Sequence, residues 1–194
     1  MNICIYGASS NKIDKIYKEE CFNLGKTLAK RGHTLVYGAG GEGLMGASAE
    51  GFTAGGGYVH GVIPNFFKEQ KFEAIYDKCD KLTFTETMAE RKTIMEDECD
   101  VFIVVPGGVG TFDELFQIIT LKQLGRLSKP IIVYNINGYY DLLNKFFLDC
   151  VDKKFINEEC KKIYKTFNTA EEVIDYVENG NENIDYNKLK TNKK

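Results

Sequence analysis

The stretch VFIVVPGGVGTFDE, residues 101–114, passes from an unbroken apolar run through three glycines to two carboxylates. A short apolar run bounded by turn residues is typical of a strand buried on both faces, as in a parallel sheet. A helical pattern follows the glycine turn. The stretch therefore predicts a strand, a tight turn and a helix, which is one part of a βαβ unit.

The same alternation continues in both directions along the chain. Further strands are predicted at NICIYG, HTLVYG, GYVHGVIP, DKLTFT and PIIVYN. Helices are predicted over about Lys15–Arg31, Met88–Glu98, Phe112–Leu124 and Tyr139–Val151, and in the segments GLMGASAEGFTAGG and TAEEVIDYVENG. This order predicts an α/β fold, a single-domain, Rossmann-like, doubly wound parallel sheet with helices on both faces, over residues 1–180. The polar residues 181–194 are expected to form a disordered tail.

Composition restricts the class of protein. The net charge of -3 and the pI near 5.6 argue against nucleic acid or an anionic membrane as the main partner, since both favour a basic surface. No apolar stretch has membrane-spanning length, and MNICIYGASS lacks the features of a signal peptide, so a cytoplasmic location is expected. The six cysteines form no C-x-x-C pair and the two histidines show no ligand spacing, so neither a metal nor another cofactor is expected.

Three glycine-rich turns, YGASS, YGAGGEGLMG and PGGVGT, follow predicted strands. In doubly wound folds ligands bind beyond the carboxyl ends of the strands, where such turns gather. Glycine allows backbone N–H groups to approach an anion at a helix N-terminus. Ser9, Gly40 and Gly41, in the first two turns, are therefore candidate contacts with an anionic substrate.

The second turn matches two nucleotide motifs only in part. Gly38, Gly40 and Gly43 have the G-x-G-x-x-G spacing, but this turn follows the second strand, and YVHGVIP supplies no acid for a ribose. The P-loop spacing of Gly41 and Gly46 places Ala47 where lysine is required. These departures argue against nicotinamide and ATP chemistry.

The third turn allows two interpretations. Thr111 and Glu114 have the spacing of a capping box, which would explain both residues by helix stability alone. The core-facing stripe of this helix is predicted at Phe112, Leu115, Phe116 and Ile119, with Glu114 on the far side. Capping and a functional carboxylate remain equal alternatives for this segment.

The helix TMAERKTIMEDEC breaks the expected binary pattern. Its apolar stripe should include positions 91 and 92, where Arg91 and Lys92 stand. Such violations concentrate at functional sites, although both side chains could also extend along their stems to the surface. The anion-binding glycine turn after the next strand favours a functional role.

The motifs YGAGGEGLMG, GVIP, MAERK, PGGVGTFDE and ITLKQLG occur in an order and spacing that resemble the LOG family. These are cytokinin riboside 5′-monophosphate phosphoribohydrolases, long labelled as lysine decarboxylases. The resemblance covers roughly residues 1–180. It implies hydrolysis of the N-glycosidic bond of a nucleoside 5′-monophosphate, releasing the base and ribose 5-phosphate.

The resemblance also implies roles for individual residues. Arg91 and Glu114 match the catalytic pair of the family, and Lys92 joins the nucleotide contacts. Thr120 matches a binding threonine and Glu73 a substrate-contacting glutamate. The phosphate-binding loop matches Gly107, Gly108, Val109, Gly110 and Thr111.

Three departures concern the base that is preferred rather than the bond that is broken. Ala89 stands where histidine is common, Val109 where an aromatic residue is frequent, and Leu121 where tryptophan is usual. The scaffold is also similar to nucleotide-binding and molybdenum-cofactor carrier proteins, so a binding protein without turnover is the alternative function.

A homodimer, or a higher even-numbered oligomer, is expected. The helix after the third turn carries Ile118, Leu121 and Leu124 outside its predicted core stripe. An apolar second face has to be buried by a neighbour, and the resemblance implies dimers with the pocket close to the interface.

Overall fold

The computed structural model describes residues 1–70 and 74–180, together with residues 182, 184, 185 and 189. The strands are β1 (Asn2–Tyr6), β2 (Thr34–Tyr37), β3 (Val59–Pro64), β4 (Lys81–Thr85), β5 (Val101–Val104), β6 (Ile131–Tyr134) and β7 (Lys165–Phe167). The α-helices are α1 (Lys15–Lys30), α2 (Gly43–Ala54), α3 (Asn65–Gln70), α4 (Met88–Glu98), α5 (Val109–Gln123), α6 (Asp141–Asp152) and α7 (Ala170–Asn179). Short 3₁₀ turns span Ile136–Gly138 and Glu158–Lys162.

The strands form one parallel sheet in the order β4-β3-β2-β1-β5-β6-β7. The chain starts at β1 in the middle, winds outward through β2, β3 and β4, and returns to continue from β5 on the other side. This confirms the doubly wound α/β fold. It also places the switch point, where ligands bind in such folds, between the carboxyl ends of β1 and β5.

Alternate residues of the central strands pack into two different hydrophobic cores, one on each face of the sheet. Ile3 and Ile5 of β1 pack with α1, α2 and α7 on one face of the sheet. Cys4 and Tyr6 pack with α4, α5 and α6 on the other face. Because both faces are covered, the central strands carry apolar residues at successive positions rather than in alternation.

Helices α1 and α2 approach each other closely because small residues line their contact. A Cβ atom built on Gly51 would lie 2.2 Å from the Phe22 carbonyl oxygen, and one on Gly25 would lie 2.5 Å from that of Ser48. The small-residue composition of α2 therefore follows from helix packing.

The structure corrects the predicted start of α5. The helix begins at Val109 with Gly108 as its N-cap, not at Phe112, and Gly108 makes no side-chain capping bond. Of the two alternatives left open for Thr111 and Glu114, the capping box does not form, because Thr111 is already the third helical residue. A capping box with both bonds formed occurs instead at Thr169 and Glu172.

The predicted core stripe of α5 is also wrong in part. Leu115 and Ile119 are buried, but Phe116 is 39% exposed and Ile118 is fully buried in its place. Glu114 lies near this buried side of the helix rather than on the far side, with only 7% of its surface exposed.

Described residues after Gly180 pack on the body of the domain. The Nζ atom of the buried Lys122 lies 2.5 Å from Glu182 Oε2 and 2.9 Å from the Lys129 carbonyl oxygen. Leu189 is buried in the same core as α5 and α6. No helix within the described ranges is long and apolar enough to cross a bilayer.

Candidate functional site

A cavity of about 360 Å³ opens beyond the carboxyl ends of the central strands. One wall is the turn after β1, and the opposite wall is the start of α5. The lining residues are Gly7, Ala8, Ser9, Ser10, Met45, Phe67, Met88, Arg91, Gly108, Val109, Gly110, Thr111, Asp113 and Glu114. The structure thus brings Ser9, Arg91, Glu114 and most of the third glycine turn to one place.

Two backbone carbonyl groups hold the guanidinium of Arg91. Its Nε atom donates to the Val62 carbonyl oxygen at 3.2 Å, and its Nη2 atom donates to the Gly38 carbonyl oxygen at 3.2 Å. The Phe67 ring centroid lies 5.9 Å from the guanidinium carbon. Only 5% of Arg91 is exposed, so the residue points inward, as the break in the helical pattern suggested.

Glu114 lies beside this arginine. Its Oε1 atom is 4.0 Å from Arg91 Nη2, and the side chains are 8% and 7% exposed, respectively. The two opposite charges partly compensate the cost of each other's burial. The cavity therefore contains a carboxylate held next to a cation, both at the edge of solvent.

The first turn of α5 offers backbone donors to the same cavity. Groups at the first helical positions, Val109 to Thr111, have no acceptor within the helix, and the positive end of the helix dipole adds to their field. A Cβ atom on Gly108 or Gly110 would meet nothing within 4 Å. This open, donor-rich surface is suited to an anion such as phosphate.

Gly107 and Thr111 have a packing role in the same loop. A Cβ atom on Gly107 would lie 2.0 Å from Thr111 Oγ1, and Thr111 is 3% exposed. The threonine therefore holds the loop against the helix, and its neighbours present their amides to the cavity.

Polar side chains tie α4 to α5 and so set the spacing of the Arg91–Glu114 pair. Lys92 Nζ lies 2.9 Å from Asp113 Oδ2, and the lysine side chain is 12% exposed. One helical turn further on, the Gln117 amide donates to Glu96. Burial raises the pKa of Glu96, while the bond from Gln117 and the charge of Lys92 oppose that rise.

Six of the predicted site residues do not line this cavity or cannot be placed. Lys92 and Gly107 lie beside it, Lys92 paired with Asp113 and Gly107 packed against Thr111. Gly40 forms an antiparallel bridge with Ile75, and the Gly41 N–H donates to the Ala74 carbonyl oxygen at 2.6 Å. Thr120 lies on the exposed outer side of α5. Glu73 lies outside the described residues.

Sequence reasoning missed two aromatic residues at the site. Phe67 lies on α3, a six-residue helix that the sequence pattern did not reveal. Tyr139 donates a hydrogen bond from its hydroxyl to the Gly107 carbonyl oxygen at 2.6 Å. Neither residue belongs to a glycine turn or a charged motif, so only the three-dimensional fold identifies them as neighbours of the site.

Comparisons with known proteins find relatives over most of the chain. A family model described as "Possible lysine decarboxylase" matches residues 45–177. A probable cytokinin riboside 5′-monophosphate phosphoribohydrolase of Oryza sativa subsp. japonica is 36% identical over 175 residues, covering 90% of this chain and 82% of the relative. A protein of Arabidopsis thaliana named cytokinin riboside 5′-monophosphate phosphoribohydrolase is 33% identical over 176 residues, covering 91% of this chain and 82% of the relative.

A solved structure shares the fold. The molybdenum cofactor carrier protein from Chlamydomonas reinhardtii superposes with a TM-score of 0.70 at 21% identity, covering 91% of this chain and 95% of that one. At this identity the likeness concerns the arrangement of strands and helices alone.

Proposed function

We propose that this chain, which belongs to the family of the cytokinin riboside 5′-monophosphate phosphoribohydrolases, hydrolyses the N-glycosidic bond of a nucleoside 5′-monophosphate. The products are the free base and ribose 5-phosphate. The observation that carries the proposal is the buried Arg91–Glu114 pair on the wall of the cavity that also receives the open N-terminus of α5.

The proposed roles follow from the order of these groups along α5. The 5′-phosphate binds the amides of the first helical turn, and Lys92 adds positive charge nearby. Glu114 lies five residues beyond Val109, or about 7 Å along the helix axis. This spacing supports a role for the carboxylate at the anomeric carbon of a nucleotide whose phosphate is bound at the turn.

Glu114 then acts on the bond that breaks. Cleavage of a ribosyl C–N bond passes through an oxocarbenium-like state, which a carboxylate stabilises while it orients the attacking water. Arg91 holds that carboxylate in place and stabilises negative charge in the site. The phosphate contacts supply remote binding energy that positions the sugar.

A decarboxylase activity is not supported by the residues of the cavity. Pyridoxal phosphate chemistry needs a lysine that forms a Schiff base with the cofactor. Among the described residues that line the cavity, none is a lysine. Lys92 lies close by, but its ammonium is paired with Asp113.

Incubation with a panel of nucleoside 5′-monophosphates tests the proposed function. We expect release of free base and ribose 5-phosphate from at least one monophosphate, and much less from the matching nucleosides, which lack the phosphate. Chromatography of the released base measures turnover of the monophosphates and of the nucleosides. Tight binding of monophosphates without any release of base would contradict the proposal and support a carrier.

We also propose that the protein forms a homodimer through the outer sides of α5 and α6. These helices follow neighbouring strands on one face of the sheet and expose large apolar side chains. Phe116 is 39% exposed, Leu124 56%, Leu142 80% and Phe146 59%. Ile118, expected on this side, is in the core, and Leu121 is partly buried against it. Thr120 lies on the same surface, so it would reach substrate only in a partner's site.

The mass of the wild type and of the variant Phe146→Glu, measured by light scattering, tests the proposed dimer. We expect the wild type to have twice the mass of one chain at micromolar concentration and the variant to have the mass of one, because the new charge would be buried unpaired. Leu82→Glu, at the opposite edge of the sheet, is the matched control and should remain dimeric. A wild type with the mass of one chain would contradict the proposal.

A further inference from the structure

A second cavity of about 280 Å³ lies against the other side of the third glycine turn. It shares Ala8, Ser10 and Gly108 with the first cavity. Its own walls include Tyr17, Gly107 and Tyr139, and none of the described residues that line it is charged. The backbone of residues 107 and 108 is therefore the partition between a polar cavity and an apolar one.

Two neighbouring tyrosines hold carbonyl groups at and just before this partition. The Tyr139 hydroxyl donates to the Gly107 carbonyl oxygen at 2.6 Å, and the Tyr140 hydroxyl donates to that of Val105 at 2.8 Å. In a planar trans peptide the C=O and the following N–H point in opposite directions. The Gly108 N–H is therefore directed away from Tyr139, toward the cavity that contains Glu114.

The orientation of this peptide needs such an external support. It joins two glycines, which rotate with little steric cost, and a flip of the peptide would exchange the N–H for a carbonyl oxygen. A carbonyl in that position would repel an anion. No described residue accepts a hydrogen bond from the Gly108 N–H, so within the described chain only the carbonyl side is fixed.

Both tyrosines are positioned by further contacts. The buried Asn135 accepts a bond from the Tyr140 N–H at 2.7 Å and donates to Asp141 and Asn168 at 2.7 and 3.0 Å. The Tyr139 ring packs edge-on against Tyr140, with centroids 5.0 Å apart, and against Tyr17 at 6.3 Å. Tyr139 is 42% exposed, and these two ring contacts together with its bond to Gly107 hold its hydroxyl against the loop.

We infer that Tyr139 is a positioning residue for the anion site: its hydroxyl orients the Gly107–Gly108 peptide so that the Gly108 N–H becomes a further donor to the substrate phosphate. The inference rests on the proposed function. It adds one donor to those of the helical turn and assigns its orientation to a side chain that does not touch the substrate.

Tyr139→Phe tests the inference, because it removes the hydroxyl and keeps the ring. Calorimetric titration with inorganic phosphate and with ribose 5-phosphate should show binding weaker by roughly three- to tenfold, as expected for a donor lost from part of the population. KM for a nucleoside monophosphate should rise by a similar factor while kcat changes little, since a phosphate contact is present in both ground and transition states. Turnover of the matching nucleoside should not change.

Tyr17→Phe is the matched control, because it removes a hydroxyl from the same apolar cavity, and its phosphate affinity should equal that of the wild type. Equal affinities for wild type and Tyr139→Phe would overturn the inference while leaving the proposed function intact. A wild type that binds neither phosphate nor ribose 5-phosphate would overturn the anion site itself, and with it the proposed function.

Discussion

The turns after β2 and after β5 are both rich in glycine, yet the structure uses their glycines for opposite purposes. In the turn after β2 the space beside the glycines is filled by protein. A Cβ atom on Gly46 would lie 2.4 Å from the Gly41 carbonyl oxygen, and one on Gly43 would lie 2.5 Å from that of Ala8. In the turn after β5, Gly108 and Gly110 face open space.

The amide groups of the two turns differ in the same way. The N–H of Gly41 is occupied by the Ala74 carbonyl, and that of Leu44 by the carbonyl of Ala8 at 2.7 Å. The first amides of α5 remain available at the cavity. Glycine therefore permits close packing of protein on protein in one turn and close approach of a ligand in the other, and a glycine motif alone does not distinguish the two.

The turn after β2 still contributes to the site, through Gly38. Its carbonyl accepts from Arg91, and a Cβ atom there would lie 1.7 Å from Arg91 Nη2. The turn after β2 thus supports the arginine, while the turn after β5 is the proposed binding site of the phosphate. The following variants separate these contributions.

The largest effect is expected for Glu114→Gln. Glutamine has nearly the same shape but lacks the charge that stabilises an oxocarbenium-like state, so kcat should fall by roughly 10²–10⁴-fold. The melting temperature should fall as well, because Arg91 stays buried without its counter-ion, and kcat is therefore measured on the folded variant at low temperature. Glu42→Gln, which changes the exposed carboxylate at the start of α2, is the matched control and should keep full turnover. Release of base at the wild-type rate by Glu114→Gln would return this residue to a structural role.

Gly38→Ala should have the next largest effect. The added methyl must displace the guanidinium of Arg91, and a misplacement of about 1 Å in a catalytic group costs on the order of 10²-fold in rate. Steady-state kinetics should show the loss in kcat. If kcat/KM were unchanged, the contact between Arg91 and Gly38 would not matter for turnover.

Gly46→Ala should lower stability rather than activity. The methyl meets backbone atoms that cannot move aside easily, and such overpacking costs about 1–3 kcal/mol. For a chain of this size the melting temperature should fall by roughly 3–10 °C. The kcat of the folded enzyme should be retained at low temperature. An unchanged melting temperature would mean that the turn after β2 is less tightly packed than the structure shows.

Gly110→Ala should give the smallest effect. It should raise stability slightly, whereas Gly46→Ala should lower it. Alanine in the first turn of a helix meets no neighbour here and is favoured over glycine by about 0.5–1 kcal/mol. The melting temperature should rise slightly, while KM for the monophosphate rises because the methyl enters the cavity. A variant that binds phosphate as tightly as the wild type would place the anion elsewhere.

Sequence patterns sufficed for the long elements and for Arg91. Strand and helix periodicity is reliable where an element is long or fully buried, and a cation within the apolar stripe of α4 is a strong local signal. The six-residue α3 and the three-residue β7 are too short to show any periodicity.

The errors in α5 have a different origin. Phe112, Phe116, Leu121 and Leu124 are as apolar as the true core residues, so the pattern could not separate the core side from an exposed apolar side. The early start of the helix was hidden because Gly108 and Gly110 are poor helix formers. The separate use of the two glycine turns depends on the segment 74–76, whose pairing with Gly40 and Gly41 leaves no mark in the sequence.

The contact between Lys122 and Glu182 makes α5 vulnerable to proteolysis at a site far from its reactive end. Burial lowers the pKa of the Lys122 ammonium, and the Glu182 carboxylate opposes that change. A chain cut after Gly180 would leave this buried amine with the Lys129 carbonyl oxygen as its remaining hydrogen-bond partner among the described residues. The helix that bears Glu114 would lose this contact eight residues away, so the loss of residues 181–194 during purification or storage would resemble damage to the proposed site.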